Sequence, residues 1–184
     1  ALHTEGDRLK FINCRILGNQ DTIYTGAKFT RLYFKDCYID GTTDFIFGPS
    51  TALFEDCIIH SKRNSYVTAA STPKEAKYGY VFKHCKLTAE PGVDKVYLGR
   101  PWRPYAYTLF IECELGKHIV PAGWHNWGKQ SNEETARYME YKNTGEGANV
   151  SERVAWSKQL TKKEAEAVTV DAIFSTQSNW NPID

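Results

Sequence analysis

The sequence predicts an all-β solenoid, a single-stranded parallel β-helix closed by a short helix and a tail. Three observations predict it. Five phrases share the pattern Phe-x-x-Cys-x-Ile/Leu; their cysteines recur at steps of 23, 20, 28 and 28 residues; and the phrases are rich in β-formers without helical periodicity.

The phrases are Phe11/Cys14/Ile16, Phe34/Cys37/Ile39, Phe54/Cys57/Ile59, Phe82/Cys85/Leu87 and Phe110/Cys113/Leu115. Cysteine and aliphatic, two apart, share one face of a strand. Phenylalanine and cysteine, three apart, would face opposite ways on a straight strand. The intervening pairs are mostly polar, as in Lys35–Asp36, Glu55–Asp56 and Lys83–His84. A corner or bulge there turns them outward and both Phe and Cys inward. Successive coils then stack about 4.8 Å apart, with a cysteine ladder and a phenylalanine ladder inside. The cysteines read as small buried apolar fillers. Their number, five, is odd, there is no CxxC, and no Cys/His spacing suits zinc.

The stretch GTTDFIFG, residues 41–48, reads as a buried strand carrying a lone carboxylate, Asp44. Such a group needs a partner, because burying an unpaired charge is costly. The two longer steps contain residues 61–80 and 88–108, expected as loops that wall a groove. Near the end, LTKKEAEAV places Thr161 three residues before Glu164, a capping box for a short helix. The final STQSNWNPID is loop-like.

With 184 residues, 41% of them apolar and 24% charged, the chain is expected to form one domain over 1–184. A net charge of +1 argues against binding nucleic acid through phosphate contacts. No apolar run approaches the roughly 20 residues of a membrane span, and no signal-peptide pattern opens the chain. The chain lacks an initiator Met and opens with ALHTEGDRLKF, which suggests a mature, cleaved or deliberately cut fragment.

Asp21 and Asp44 each lie seven residues after a cysteine, so they stack as neighbouring carboxylates on adjacent coils. Such a pair splits its titration, leaving one proton carrier and one anion, the acid/base-plus-nucleophile arrangement. Two turn aspartates satisfying backbone amides would show the same spacing. Arg100 is a candidate partner for Asp44, or a surface ion pair of little worth. Trp102, Tyr105 and Tyr107 crowd one loop and suit flat sugar faces; core packing is the alternative for Trp102.

GNQDTIY, GTTDFIFG, YLGRPW and PAGWHNW, in this order, resemble the motif set of pectin methylesterases, carbohydrate esterases built on a right-handed parallel β-helix. YMEYKNTGEGA, RVAW and LTKKEAEAVTV resemble that family's C-terminal part. The resemblance implies that Asp44 is the nucleophile, Asp21 the general acid/base, Gln20 an oxyanion-hole donor and Arg100 the hydrogen-bond partner of the nucleophile. It places Trp102 in a substrate subsite and Thr43, Phe47 and Tyr105 against the sugar chain. The implied substrate is methylated homogalacturonan (pectin), hydrolysed without metal or cofactor by a secreted or periplasmic enzyme; no nucleic-acid or membrane partner is implied.

Two departures from the family pattern stand out. Thr43 replaces the usual Val, and no glutamine precedes Gln20, where the family has a second oxyanion donor. The first coils are therefore expected to be absent, the chain weakly active or inactive, and the open end of the solenoid covered by self-association or by an N-terminal fragment. The competing readings are a Ca²⁺-dependent pectate lyase on the same fold and a non-catalytic pectin-binding β-helix.

Overall fold

The computed structural model describes residues 1–175 and 180–183. Three parallel sheets wrap one interior as a right-handed β-helix; each of the first five coils gives one strand to each sheet, and two further strands extend the second sheet alone. The first sheet stacks Leu2–Thr4, Ile23–Thr25, Ile46–Gly48, Tyr66–Ala70 and Tyr97–Gly99. The second stacks Leu9–Ile12, Arg31–Lys35, Thr51–Glu55, Tyr80–Lys83, Tyr107–Ile111, Arg137–Tyr141 and Lys158–Gln159. The third stacks Arg15–Ile16, Tyr38–Gly41, Ile58–Ser61, Lys86–Ala89 and Glu114–Leu115.

The repeated phrase spans the corner between the second and third sheets. The residue before each cysteine takes a left-handed backbone, with φ of 53° at Asn13, 54° at Asp36, 51° at Asp56, 53° at His84 and 52° at Glu112. Asn, Asp and His tolerate that conformation better than most residues. The turn throws the polar pair outward and returns the cysteine to the interior. The phenylalanines stack face to face from Phe11 to Phe110, with ring centroids 4.7, 4.6, 4.6 and 4.4 Å apart. All five cysteines are free. Cys37, Cys57, Cys85 and Cys113 are buried, and Cys14 on the outermost coil is half-buried.

The ladders end in a polar coil that the repeat did not reveal. Glu140 is in register with Phe110, and Asn143 follows it at the spacing of the cysteine. Asn143 Oδ1 accepts from the Cys113 amide at 2.9 Å. Glu140, 1% exposed, accepts from Arg153 Nε at 2.9 Å, from Trp124 Nε1 at 3.3 Å and from Asn143 Nδ2 at 3.2 Å. A buried carboxylate is thus matched by a guanidinium and two neutral donors.

The two long stretches are not wholly loop: each contributes a strand to the first sheet, Tyr66–Ala70 and Tyr97–Gly99. What remains as wall is tied together by Arg137, which donates to the carbonyls of Pro73, Ala76 and Tyr105. The expected helix is Lys162–Glu166, with both arms of its capping box between Thr161 and Glu164. Two further helices, Ser131–Thr135 and Val170–Phe174, were not expected. The second packs Ile173 and Phe174 against the outer face of the second sheet with Tyr33, Leu53 and Val81. Of the tail read as loop, residues 176–179 and 184 lie outside the described residues. No helix among the described residues is long and apolar enough to cross a membrane.

Candidate active site

Asp44 does not sit in a strand. It occupies the bend just before Ile46–Gly48, with φ of 49°. The strand after it ends at Gly48, whose φ is 124° and where a Cβ would lie 2.3 Å from the Thr25 carbonyl oxygen, so only glycine fits without a shift. Asp21 occupies the same bend one coil earlier, with φ of 58°. Ile23 pairs with Ile46 in register, the Asp21 amide donates to Thr43 O at 3.1 Å, and the Asp44 amide donates to Tyr66 O at 2.9 Å. The two carboxylates are therefore stacked neighbours on the first sheet. The equal offset from the cysteines reflects a constant coil geometry.

Asp44 is 6% exposed and held by both arms of Arg100, Nε to Oδ1 at 2.9 Å and Nη2 to Oδ2 at 2.7 Å. This fork answers the question that a buried carboxylate raises. The guanidinium is itself sandwiched, 3.9 Å from the Tyr66 ring centroid and 3.7 Å from that of Trp127. Trp127 is fixed by its amide, which donates to His125 Nδ1 at 3.0 Å. Partial burial, with the nearby Arg100 charge second, pushes the His125 pKa down and so favours the neutral ring that can accept this bond.

Asp21, by contrast, is open to solvent at the pocket mouth. Its pKa is raised, first by partial desolvation and then by the Asp44 charge. The pair thus divides into an anion fixed by a guanidinium and a carboxyl biased toward keeping its proton.

A pocket of about 250 Å³ gathers Gln20, Asp21, Asp44, Phe47, Arg100 and Trp102, with Ala69 and Trp127 completing its lining. Trp102 stands edge-on to Phe47 and Tyr24, with centroids 5.8 and 6.5 Å apart, and forms one wall. Two expected sugar contacts are not brought into this pocket. Thr43 Oγ1 accepts from Ser65 Oγ at 2.8 Å, and Tyr105 lies in the wall turn beneath Lys74, its carbonyl taken by Arg137. Trp127 and Tyr66 were missed. Trp127 belongs to the PAGWHNW motif, the one sequence signal for it; nothing local marks Tyr66. No cluster of three or more His, Cys, Asp or Glu side chains placed to hold a metal ion occurs among the described residues.

A family model described as Pectinesterase matches residues 1–177. Pectinesterase 31 of Arabidopsis thaliana is 44% identical over 166 residues, covering 90% of this chain and 52% of that protein. Probable pectinesterase A of Neosartorya fischeri is 38% identical over 185 residues, covering 98% and 53%. Among solved structures, the pectin methylesterase from carrot superposes with a TM-score of 0.85 at 35% identity, over 91% of this chain and 56% of that one. A pectin methylesterase in complex with a hexasaccharide gives 0.80 at 31% identity, over 96% and 59%. The chain spans about half the length of the first two of these, and slightly more of the solved structures.

Proposed function

The chain belongs to the pectinesterase family, and we propose that its aspartate pair removes methyl esters from galacturonate units of pectin. The observation that carries this reading is the asymmetry of the pair: Asp44 clamped by Arg100, Asp21 solvent-open with a raised pKa.

In this mechanism an Asp44 carboxylate oxygen attacks the ester carbonyl carbon and forms a tetrahedral oxyanion. The Gln20 side-chain amide, at the pocket edge, donates to that oxyanion. Asp21 gives its proton to the departing methoxide, which leaves as methanol, and an acyl-Asp44 anhydride remains. The Asp21 carboxylate then takes a proton from a water molecule as that water attacks the anhydride carbonyl. This releases the galacturonate acid and restores both aspartates. Arg100 keeps the two Asp44 oxygens in a fixed plane, and Trp102 and Phe47 supply apolar faces for the sugar.

A solved pectin methylesterase in complex with a hexasaccharide supports an oligosaccharide chain as the kind of substrate. On this reading the natural substrate is methylated homogalacturonan, and the enzyme is secreted or periplasmic and acts in cell-wall modification or pectin breakdown. A lyase needs a calcium-binding acidic cluster and a binding module needs no paired carboxylates, so neither accounts for the pair as well.

The test is methanol release from methylated pectin by the full-length protein that carries this chain and by its Asp44→Asn variant, with circular dichroism as the fold control. Asn tolerates the left-handed backbone at this position. Loss of more than about 10⁴-fold with an unchanged spectrum is expected, in the range seen when a covalent nucleophile is removed. Wild-type-like release by Asp44→Asn excludes Asp44 as the nucleophile, and chain cleavage to unsaturated products that a chelator abolishes, without methanol release, favours the lyase.

A further inference from the structure

The PAGWHNW stretch carries two side chains that the proposed reaction does not use, His125 and Asn126. Both fold back onto the chain two residues on. His125 Nδ1 accepts from the Trp127 amide at 3.0 Å, and Asn126 Oδ1 accepts from the Gly128 amide at 2.8 Å. Between them they hold the backbone in the left-handed region at Trp127 and Gly128, with φ of 62° and 66°. Glycine adopts that conformation freely; a residue as bulky as tryptophan does so only where its surroundings hold it there. The Asn126 half of the turn is tied to the helix Ser131–Thr135. Its carbonyl accepts from Asn132 Nδ2 at 2.9 Å, and its Nδ2 donates to Glu133 Oε1 at 2.7 Å. The His125 half is tied to the first sheet, its amide donating to Gly99 O at 3.1 Å.

This turn lays the Trp127 ring against the Arg100 guanidinium, opposite Tyr66. The clasp that holds it depends on protonation, because only an unprotonated Nδ1 accepts. An imidazolium donates from both nitrogens and would set one N–H against another. The Asn126 clasp has no such dependence. The His125 ring packs against those of Tyr66 and Tyr97, with centroids 5.4 and 5.3 Å away. The charge that bears on it is that of Arg100, itself paired with Asp44. Desolvation first, and Arg100 second, hold the His125 pKa below its ordinary value of 6.5. The clasp is therefore closed at neutral pH and opens as the pH falls through that lowered value.

We propose that His125 is a positioning residue for ester hydrolysis, its neutral imidazole clasping Trp127 over Arg100 and its protonation freeing the guanidinium on that side. This deepens the esterase reading and rests on it for the reaction. His125 acts through Trp127 and Arg100 and takes no part in bond making at Asp44. With the clasp open, Trp127 is released from its left-handed backbone, one face of Arg100 is opened to water, and the fork that orients Asp44 loosens. The acid side of the activity profile then carries the titration of a histidine beside those of the two aspartates.

Three forms of the full-length protein test this role: wild type, His125→Asn and His125→Leu. Asparagine keeps an oxygen that accepts from the amide two residues on and does not titrate. Leucine keeps bulk and removes the acceptor. Methanol release is followed between about pH 4 and pH 8, a range that spans histidine titration. The quotient of wild-type over His125→Asn kcat cancels the aspartate titrations that both proteins share. It is expected to be flat above pH 6.5 and to fall about tenfold below the His125 pKa, with His125→Leu about tenfold slower than wild type at neutral pH. The decision rests on wild type against His125→Asn, both of which keep the clasp at neutral pH. The clasp itself is read from protein labelled with ¹⁵N-tryptophan, in which the Trp127 amide is identified by its absence from Trp127→Phe. Its exchange protection, corrected for the intrinsic pH dependence of exchange, is expected to drop about tenfold over the same interval in wild type and to hold in His125→Asn. A flat quotient, or Trp127 protection that does not respond to His125 protonation, overturns the role. Should the full-length protein release no methanol, the esterase reading fails, and the amide measurement still decides whether His125 clasps Trp127.

Discussion

Arg100 meets Asp44 edge to edge, two parallel hydrogen bonds of 2.9 and 2.7 Å, across 56 residues of sequence. The guanidinium plane is held from both sides by Tyr66 and Trp127. One residue thus supplies charge, orientation and rigidity to a carboxylate that would otherwise be costly to bury.

Arg100→Lys should keep the charge and lose the geometry. An ammonium offers no planar fork for both oxygens and no plane to stack on two rings. Loss of one charge-assisted hydrogen bond, about 1.5–3 kcal/mol, corresponds to a fall in kcat of roughly 10- to 100-fold. Steady-state methanol release checks this, and a variant within twofold of wild type would show the second prong to be dispensable.

Asp21 should make the fold less stable as pH rises. Its folded pKa lies above the ordinary value of 3.8, so the native state binds more protons than the unfolded state between the two values. Stability falls through that window and stays lower above it. Asp21→Asn removes the ionising group. It should melt higher than wild type at pH 7, with the difference closing below about pH 3.8. Melting curves of both proteins across pH 3–7 decide the matter; a destabilised Asp21→Asn at pH 7 contradicts the assigned sign.

The cysteine ladder should be chemically silent. Burial pushes the Cys85 thiol up, and a contact to Cys57 together with burial does the same for Cys37; at Cys57 the contact to Cys37 pulls the thiol down, but the contact to Cys85 and burial together outweigh it. Thiolate formation and reagent access are both suppressed. Titration of the native protein with a disulfide reagent should show one fast thiol, Cys14, and all five only after unfolding. Rapid labelling of Cys57 or Cys85 under native conditions would mean that the coils open readily.

The Glu140–Arg153 pair should be expensive to break. Arg153→Met leaves a carboxylate that is 1% exposed with only Trp124 and Asn143 as donors. Removal of one partner of a buried pair typically costs about 3–5 kcal/mol. Urea unfolding measures it. Restoration of stability by the double change Glu140→Phe with Arg153→Met, which extends the phenylalanine ladder, would locate the cost in the orphaned charge.

What the sequence by itself determined is whatever repeats. Phe-x-x-Cys-x-Ile/Leu specifies a corner and two inward faces, and stacking identical corners forces identical registers. The phase of Asp21 and Asp44 could therefore be read by counting from Cys14 and Cys37. The capping box of Thr161 and Glu164 was legible for a similar reason: its physics is complete within four residues. The tertiary structure decided what comes from outside the repeat. Arg100 was a candidate partner by type, but its two-pronged geometry depends on Tyr66 and Trp127 closing over it from other coils. Asp44 left its expected strand because the left-handed bend before Ile46 turns it toward Arg100. The same bend leaves Thr43 beside Ser65, while the Arg137-held turn keeps Tyr105 out of the pocket. Glu140 ended the phenylalanine ladder because Arg153 and Trp124 arrive there from distant loops. Local backbone preference and a constant coil register are written into short stretches of chain. The pairing of charges and rings depends on distances between coils, which no single stretch encodes.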